Sequence, residues 1–365
     1  MKEISLCMIV KNEEDVIGRC LECVKEIVDE IIIVDTGSTD KTKEIVRKYT
    51  DKIYDFEWVD DFSKARNFSF SKATKDYIMW LDADDVIYDE EQEKLKKLKE
   101  EIDGTVDIYQ MKYNYRQDER GNPTFIQTRS RLLKREKNYK WKSPIHEVIT
   151  PTGNVKKVDI WITHKKIRVE DPKRNINIFE KMIANGEKFD DRQEYSYARE
   201  LYGQRRYEEA IIKFEEFIQK YKDNWKIRQK FLYQSTILLA DSYKATEEYD
   251  KMLDVLFNMI KYEIPTSECC CKIGDAFLKK KQNENAIYWY LQAIRNEQYN
   301  KAEGSVNKDF SSFFPYINLG VCYFRMGNIE LAQYYNELAG KLKPDNQNYL
   351  GNKRVYGKEA EKKKQ

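Results

Sequence analysis

Several things are scarce or missing in this 365-residue chain, and each absence narrows what it can be. No apolar run approaches the roughly 20 residues that a membrane-spanning helix needs, so no transmembrane segment is expected. The N-terminus, Met1-Lys2-Glu3-Ile4-Ser5, passes directly into an apolar segment, which is not the pattern of a signal peptide. Charge of one sign is not in excess: 65 Lys and Arg stand against 63 Asp and Glu. A general nucleic-acid binder would carry a basic surplus, so no nucleic-acid partner is expected. Cysteines number seven, an odd count, and neither Cys20-x-x-Cys23 nor Cys269-Cys270-Cys271 has a second Cys/His pair at zinc spacing. They read as reduced thiols of a cytoplasmic protein. Histidine is nearly absent, with His146 and His164 the two in the chain. A Gly-rich, Lys-bearing phosphate loop is missing near Val10, which argues against nucleotidyl transfer.

What is present is 41% hydrophobic residues, enough for real cores, in a length that suits about two domains. The first half is organised around Met79-Trp80-Leu81-Asp82-Ala83-Asp84-Asp85, where an apolar segment rises into a carboxylate cluster. A buried strand ending in Asp-x-Asp delivers carboxylates to the carboxyl edge of a sheet, where open α/β sheets bind ligands. Hard oxygen donors there suit Mg²⁺ or Mn²⁺. Upstream, 4–10 and 30–35 are short apolar runs, 52–56 and 77–81 read as further strands, and helical spacing lies between them. The β-α-β-α-β-α-β order predicts a parallel sheet with helices on both faces. Three of its strands end in polar clusters, at Lys11-Asn12-Glu13, Asp35-Thr36-Gly37-Ser38 and Asp82-Ala83-Asp84, which would share one cleft.

Four blocks carry a resemblance: Ser5 to Glu14, Ile33 to Asp40, Asp61 to Asn67 and Leu81 to Asp84. In this order and spacing they resemble family 2 glycosyltransferases, whose GT-A fold is a Rossmann-like nucleotide-sugar domain. The resemblance implies a sugar-nucleotide donor, a divalent metal (Mg²⁺ or Mn²⁺) and inversion at the anomeric carbon. By that resemblance Val10, Asn12, Glu13, Asp35, Arg66 and Asp82 serve the donor nucleotide. Asp35 would meet the base, Asp82 the ribose or metal shell, and Arg66 the base or phosphates. Asp84 would bind the metal. UDP-glucose is the donor the family suggests.

Beyond Asp85, a charged surface helix is expected at 90–101, a half-buried strand at 107–115, a turn at Gly121-Asn122-Pro123 and a strand at 128–134. Ser143-Pro144-Ile145-His146-Glu147 follows, and His164 ends an apolar strand. The same resemblance makes Glu147 the candidate general base and His164 a metal ligand. His146 stands as an alternative for either role, or as a residue that holds Glu147.

From Asp171-Pro172 onward the pattern turns helical and repeats at roughly 34 residues. Ala198, Leu201, Tyr207, Ala210 and Phe214 begin it, and Leu319-Gly320, Tyr323, Gly327, Ala332, Ala339 and Pro344 give its clearest unit, with insertions near Asn224 and between Asn296 and Phe313. This resembles tetratricopeptide repeats, an all-α solenoid. The expected domains are therefore 1–170, 171–350 and a polar, frayed tail at 351–365. The combination resembles the sublancin-type S-glycosyltransferases and the glucosyltransferases of cell-surface glycan assembly. It implies a peptide, protein or glycan acceptor docked on the repeats, which can also pair two copies of the chain. The competing reading is a non-catalytic scaffold whose transferase domain is retired; intact Asp35, Arg66, Asp82 and Asp84 argue against it.

Overall fold

The computed structural model describes residues 2–117, 123–167, 171–299 and 307–362. Two compact units divide the chain, one running to Gly186 and the other beginning at Glu187. In the first, β1 (Ile4–Val10), α1 (Ile17–Glu22), β2 (Glu30–Asp35), α2 (Thr42–Val46), β3 (Ile53–Asp55), α3 (Phe62–Ser71) and β4 (Tyr77–Trp80) follow the expected alternation. Then come β5 (Asp85–Val86), α4 (Asp89–Glu101), β6 (Ile108–Gln117), β7 (Pro123–Lys134), β8 (Trp141–Lys142), β9 (Val148–Ile149), β10 (Val155–His164) and α5 (Arg174–Ala184). The expected turn at Gly121-Asn122 lies outside the described residues.

The sheet has eight strands in the order β3-β2-β1-β4-β7-β6-β10-β5. The parallel expectation holds for β3, β2, β1 and β4. Beyond β4 the sheet is mixed: β7 runs antiparallel to both β4 and β6, β10 is parallel to β6, and β5 is antiparallel to β10. Hydrophobic period identifies strands but not their partners, so the insertion of β7 beside β4 was not predictable. Every residue of β2 is buried, as a central parallel strand with both faces covered requires. On one face Ile17 and Leu21 of α1, Val46 of α2 and Leu95 of α4 pack with Leu6, Met8, Ile33 and Met79. On the other, Phe70 of α3, Trp141 of β8 and Ile149 of β9 pack with Cys7, Ile32, Ile78, Trp80 and Leu133. Because β1, β2 and β4 are parallel, their carboxyl ends open on one edge.

Helix α5 belongs to the first unit, later than the boundary expected at Asp171. Lys181 pairs with Asp60 at 2.5 Å, and the Arg174 guanidinium lies 4.9 Å from the Phe62 ring centre.

The second unit is four helical hairpins and a last helix: α6 (Asp191–Gly203) with α7 (Tyr207–Tyr221), α8 (Trp225–Ala245) with α9 (Tyr249–Ile260), α10 (Ser267–Lys279) with α11 (Asn283–Arg295), α12 (Phe313–Arg325) with α13 (Ile329–Leu342), then α14 (Gln347–Lys362). Each hairpin turns through one left-handed residue, Arg205, Glu247, Lys281 or Gly327, at φ between 60° and 78°. Ala198, Ala210, Ala240, Ala286 and Ala332 are fully buried where paired helices approach. At Gly274 the approach leaves no room for a side chain, since a Cβ would sit 2.8 Å from the Tyr290 ring. The expected insertion near Asn224 is a short 3-10 turn at 222–224; the other falls partly on 300–306, outside the described residues. The expected frayed tail is helical through Lys362, with Tyr349 and Tyr356 buried on one side. Two tyrosines seven residues apart share a helix face, and they make α14 a cap on the last repeat. Residues 363–365 lie outside the described chain. Among the described residues no helix is long and apolar enough to cross a membrane. All seven thiols are free, and burial pushes those of Cys20, Cys269 and Cys271 well up.

Candidate active site

The edge where β1 and β2 end is built from backbone-to-side-chain bonds. The Val10 carbonyl accepts from the Thr36 amide at 2.9 Å and from its hydroxyl at 3.1 Å. Asn12 takes a left-handed backbone at φ 55°, its amide donates to Ser38 Oγ at 2.9 Å, and its Oδ1 accepts from the Thr39 amide at 2.7 Å. The Glu13 amide donates to Thr42 Oγ1 at 2.7 Å. Val10, Asn12 and Glu13 thus form the seam that joins the two strand-end loops. Asp35 closes β2 with its side chain 1% exposed. Its Oδ1 accepts from the Gly37 and Ser38 amides at 3.0 and 2.9 Å and lies 3.8 Å from Lys43 Nζ, whereas its Oδ2 is buried with no partner among the described residues. An unmatched buried carboxylate oxygen costs free energy unless a donor reaches it.

At the end of β4 a chain of charge begins. Arg66 Nη2 donates to Asp82 Oδ1 at 2.7 Å, and Arg66 Nε donates to Glu147 Oε1 at 2.7 Å. The guanidinium lies between the Trp80 and Trp141 rings, 5.0 and 4.9 Å from their centres, a stacking that suits its plane. Burial works against the charge of Arg66, but Asp82 and Glu147 outweigh it and raise its pKa further. Burial would likewise raise the Asp82 carboxyl; Arg66 and then Arg131 hold it down at about 2. Glu147 reaches this place on the tip of the β8–β9 ribbon, in which Trp141 faces Ile149. Asn67 pins that ribbon: its Oδ1 accepts from the Trp141 amide at 2.9 Å and its Nδ2 donates to the Trp141 carbonyl at 3.0 Å. The Pro144 carbonyl accepts from the Phe62 amide at 2.9 Å, at the start of α3, where Asp61 caps the helix through the Lys64 amide.

The third group lies where β10 meets β5. His164 pairs with Asp85 across the antiparallel ladder. Its Nδ1 is 3.2 Å from Asp84 Oδ1, 3.9 Å from Asp85 Oδ1 and 3.0 Å from the Tyr113 hydroxyl. Tyr115 stacks on the ring at 5.1 Å. Burial disfavours the imidazolium, but Asp84 and Asp85 together lift its pKa to about 9. Ligand atoms of Asp84, Asp85 and His164 lie within 4.8 Å of one another, the one such group among the described residues. Two carboxylates with one imidazole form a donor set that fits Mn²⁺ or Mg²⁺. Asp85 is fully buried and already occupied, by Arg131 Nη1 at 3.0 Å, the Tyr113 hydroxyl at 2.8 Å and the Asp82 amide at 3.0 Å. Asp84 and His164 are the more open pair. His146, at φ 52° on the ribbon tip, is not part of this group.

The structure therefore brings Arg66, Asp82 and Glu147 into one ion-paired chain and Asp84 and His164 into another. Sequence reasoning gave no role to Tyr113 or Arg131, and named Asp85 and Asn67 only as members of their motifs. Arg131 is fully buried, with its guanidinium 3.9 Å from the Trp80 ring centre and 4.5 Å from that of Tyr113. The register of β7 against β6 slips at this residue, from Tyr109–Leu132 to Gln110–Ser130. A bulge of this kind re-aims a side chain, and the available signal was an arginine beside Leu132-Leu133 in an otherwise apolar strand end.

Residues 5–157 match the model of glycosyl transferase family 2. A TPR repeat-containing protein of Synechococcus elongatus is 34% identical over 149 residues, covering 41% of this chain and 36% of that protein. The SPbeta prophage-derived glycosyltransferase SunS of Bacillus subtilis is 38% identical over 97 residues, covering 26% of this chain and 23% of that one. The chain thus spans 36% and 23% of the length of these two curated relatives. Among solved structures, MamA of Desulfovibrio magneticus covers 48% of this chain and 88% of its own at 13% identity, with a TM-score of 0.38. That likeness is too low to carry an argument.

Proposed function

We propose that the protein, whose residues 5–157 match the model of glycosyl transferase family 2, moves a sugar from a nucleoside-diphosphate donor to an acceptor, with a divalent metal and inversion at the anomeric carbon. The observation that carries the reading is the meeting, on one sheet edge, of the unmatched Asp35 Oδ2 with the Asp82–Asp85 acids. Asp35 takes a hydrogen bond from a base N–H through that oxygen. Its single open acceptor suits the single ring N–H of uracil, which favours a uridine-diphosphate sugar; glucose is the sugar that the family resemblance suggests. Val10, Asn12 and Glu13 shape the floor of the same pocket. Asp84 and His164 hold Mg²⁺ or Mn²⁺, which when bound offsets charge on the leaving diphosphate.

Asp82 orients the ribose or the metal's outer shell and is itself held by Arg66. Glu147 takes the acceptor's proton, a role an inverting displacement needs on the side opposite the leaving group. Arg66 binds Asp82 and Glu147 at once, so the donor side and the base move as one piece. The acceptor is a peptide, protein or glycan docked on the repeats, since solenoids present extended concave surfaces. A homodimer and a cytoplasmic location complete the reading.

Incubating the full chain with a panel of sugar nucleotides and Mn²⁺, followed by mass spectrometry of nucleotide and acceptor products, tests it. Release of the nucleoside diphosphate and a hexose mass added to the acceptor are expected. A chain that neither hydrolyses nor transfers any donor, with Mn²⁺ or Mg²⁺, is the retired scaffold instead.

A further inference from the structure

Of the cations that lie among the Asp82–Asp85 acids and Glu147, three are already answered. Arg66 is paired with Asp82 and Glu147, Arg131 with Asp85, and His164 with Asp84. A fourth is Arg129. It sits on β7 opposite Met111 of β6, two residues before the bulged Arg131. Arg129 makes no hydrogen bond or ion pair with any described residue. Arg129 is half-buried, whereas Nε and Nη2 of Arg131 beside it are sealed in without partners among the described residues. Burial and the adjacent Arg131 charge lower its pKa, and Asp82, Tyr113 and Glu147 only partly offset them. An arginine keeps its charge regardless. A partly buried guanidinium beside a second one, with no carboxylate of its own, is costly unless something negative completes it.

We infer that Arg129 is the cleft's anion receptor and takes the diphosphate of the donor. This rests on the proposed transfer reading for the identity of the anion. Diphosphate oxygens suit the fork of a guanidinium, which can bind two at once. The remaining arginines cannot serve without breaking pairs to Asp82, Glu147 or Asp85. Departure of the diphosphate builds charge on the same oxygens, so Arg129 contributes where charge increases.

The test is calorimetric titration of the full chain, its Arg129→Met variant and its Arg129→Lys variant, each with Mn²⁺, using UDP, uridine and inorganic pyrophosphate. Arg129→Met is expected to weaken UDP and pyrophosphate by about ten- to a hundredfold, the range of a charge-assisted hydrogen bond. Uridine affinity should not change, and Arg129→Lys should recover part of the loss. Equal affinity of parent and Met variant for both phosphate probes overturns the assignment. So does a loss confined to transfer with UDP binding intact, which would move Arg129 to the acceptor side. A parent that binds pyrophosphate through Arg129 but neither UDP nor uridine leaves this inference standing and removes the uridine-nucleotide reading. If the Met variant does not fold, the Lys variant decides: several-fold weaker UDP with unchanged uridine supports the receptor, and unchanged UDP overturns it.

Discussion

The two units bury charge in different ways. Around Lys272 of the repeat unit, each charge meets its opposite: Lys272 Nζ is 2.6 Å from Asp241 Oδ1, and Asp275 takes Lys244 at 2.6 Å and the Tyr290 hydroxyl at 2.7 Å. The cluster closes on itself and cements neighbouring hairpins. The strand-end cleft of the first unit is different. Among the described residues Asp35 Oδ2 and the Arg129 side chain have no partner, while Asp84 and His164 are paired at the solvent side of a three-ligand group. Local electrostatics left incomplete is what distinguishes a site from a support.

That contrast can be broken most decisively at Asp84. Asp84→Ala should remove transfer down to background and weaken Mn²⁺-dependent nucleotide binding by at least about 10²-fold, since even partners of a metal's ligands are worth 10 to 100. Calorimetry with and without Mn²⁺ checks it, and unchanged affinity and turnover would exclude the metal role. Glu147→Gln keeps shape and removes basicity, so turnover should fall by about 10² to 10⁴. Donor affinity should stay within about threefold, less than 1 kcal/mol. A Gln variant as fast as the parent on a hydroxyl acceptor would take Glu147 out of the mechanism.

In the repeat unit the same scale of change should touch stability and spare the chemistry. Gly274→Ala drives a methyl into the Tyr290 ring, and overpacking of this kind costs about 1–3 kcal/mol. Denaturant unfolding should register that loss while UDP affinity is unaltered; a variant as stable as the parent would mean the helices part without strain. The smallest effect expected is on pH dependence in the metal-free protein. His164 has its pKa raised from 6.5 to about 9. A raised folded-state value gives stability that is complete below about pH 6.5 and lost as pH climbs through about 9. His164→Asn should therefore flatten the fall in stability between pH 6.5 and 9. Mn²⁺ affinity should rise over the same window, because the metal must displace that proton. Parallel pH profiles for parent and variant would disprove the coupling.

Much of the architecture was legible in the residues themselves. Continuous β-branched runs at 4–10 and 30–35, each followed by polar turn chemistry, specify buried parallel strands whatever surrounds them. The recurrence of small and aromatic residues through 198–344 specifies stacked helical hairpins, because such units bury their faces only against one another. Asp35, Asp82 and Asp84 stand at strand ends, so their shared edge follows from parallel topology alone.

Other features were decided only in three dimensions. Glu147 meets Arg66 across 81 positions because Asn67 clamps the Trp141 backbone, and no local pattern encodes that clamp. Asp85 proved to be the buried member of the Asp84–Asp85–His164 group, tied to Arg131 and Tyr113 from two other strands. Arg131 reaches it through a bulge, and a one-residue slip in register changes which face a side chain joins. The boundary at Gly186 and the helix that caps the repeats were likewise set by packing, through Lys181 with Asp60 and through buried Tyr349 and Tyr356. Local propensity and period act over a few residues and were enough to name the elements and their chemistry; which charges meet, and which are left without a partner, depends on contacts between residues far apart in the chain.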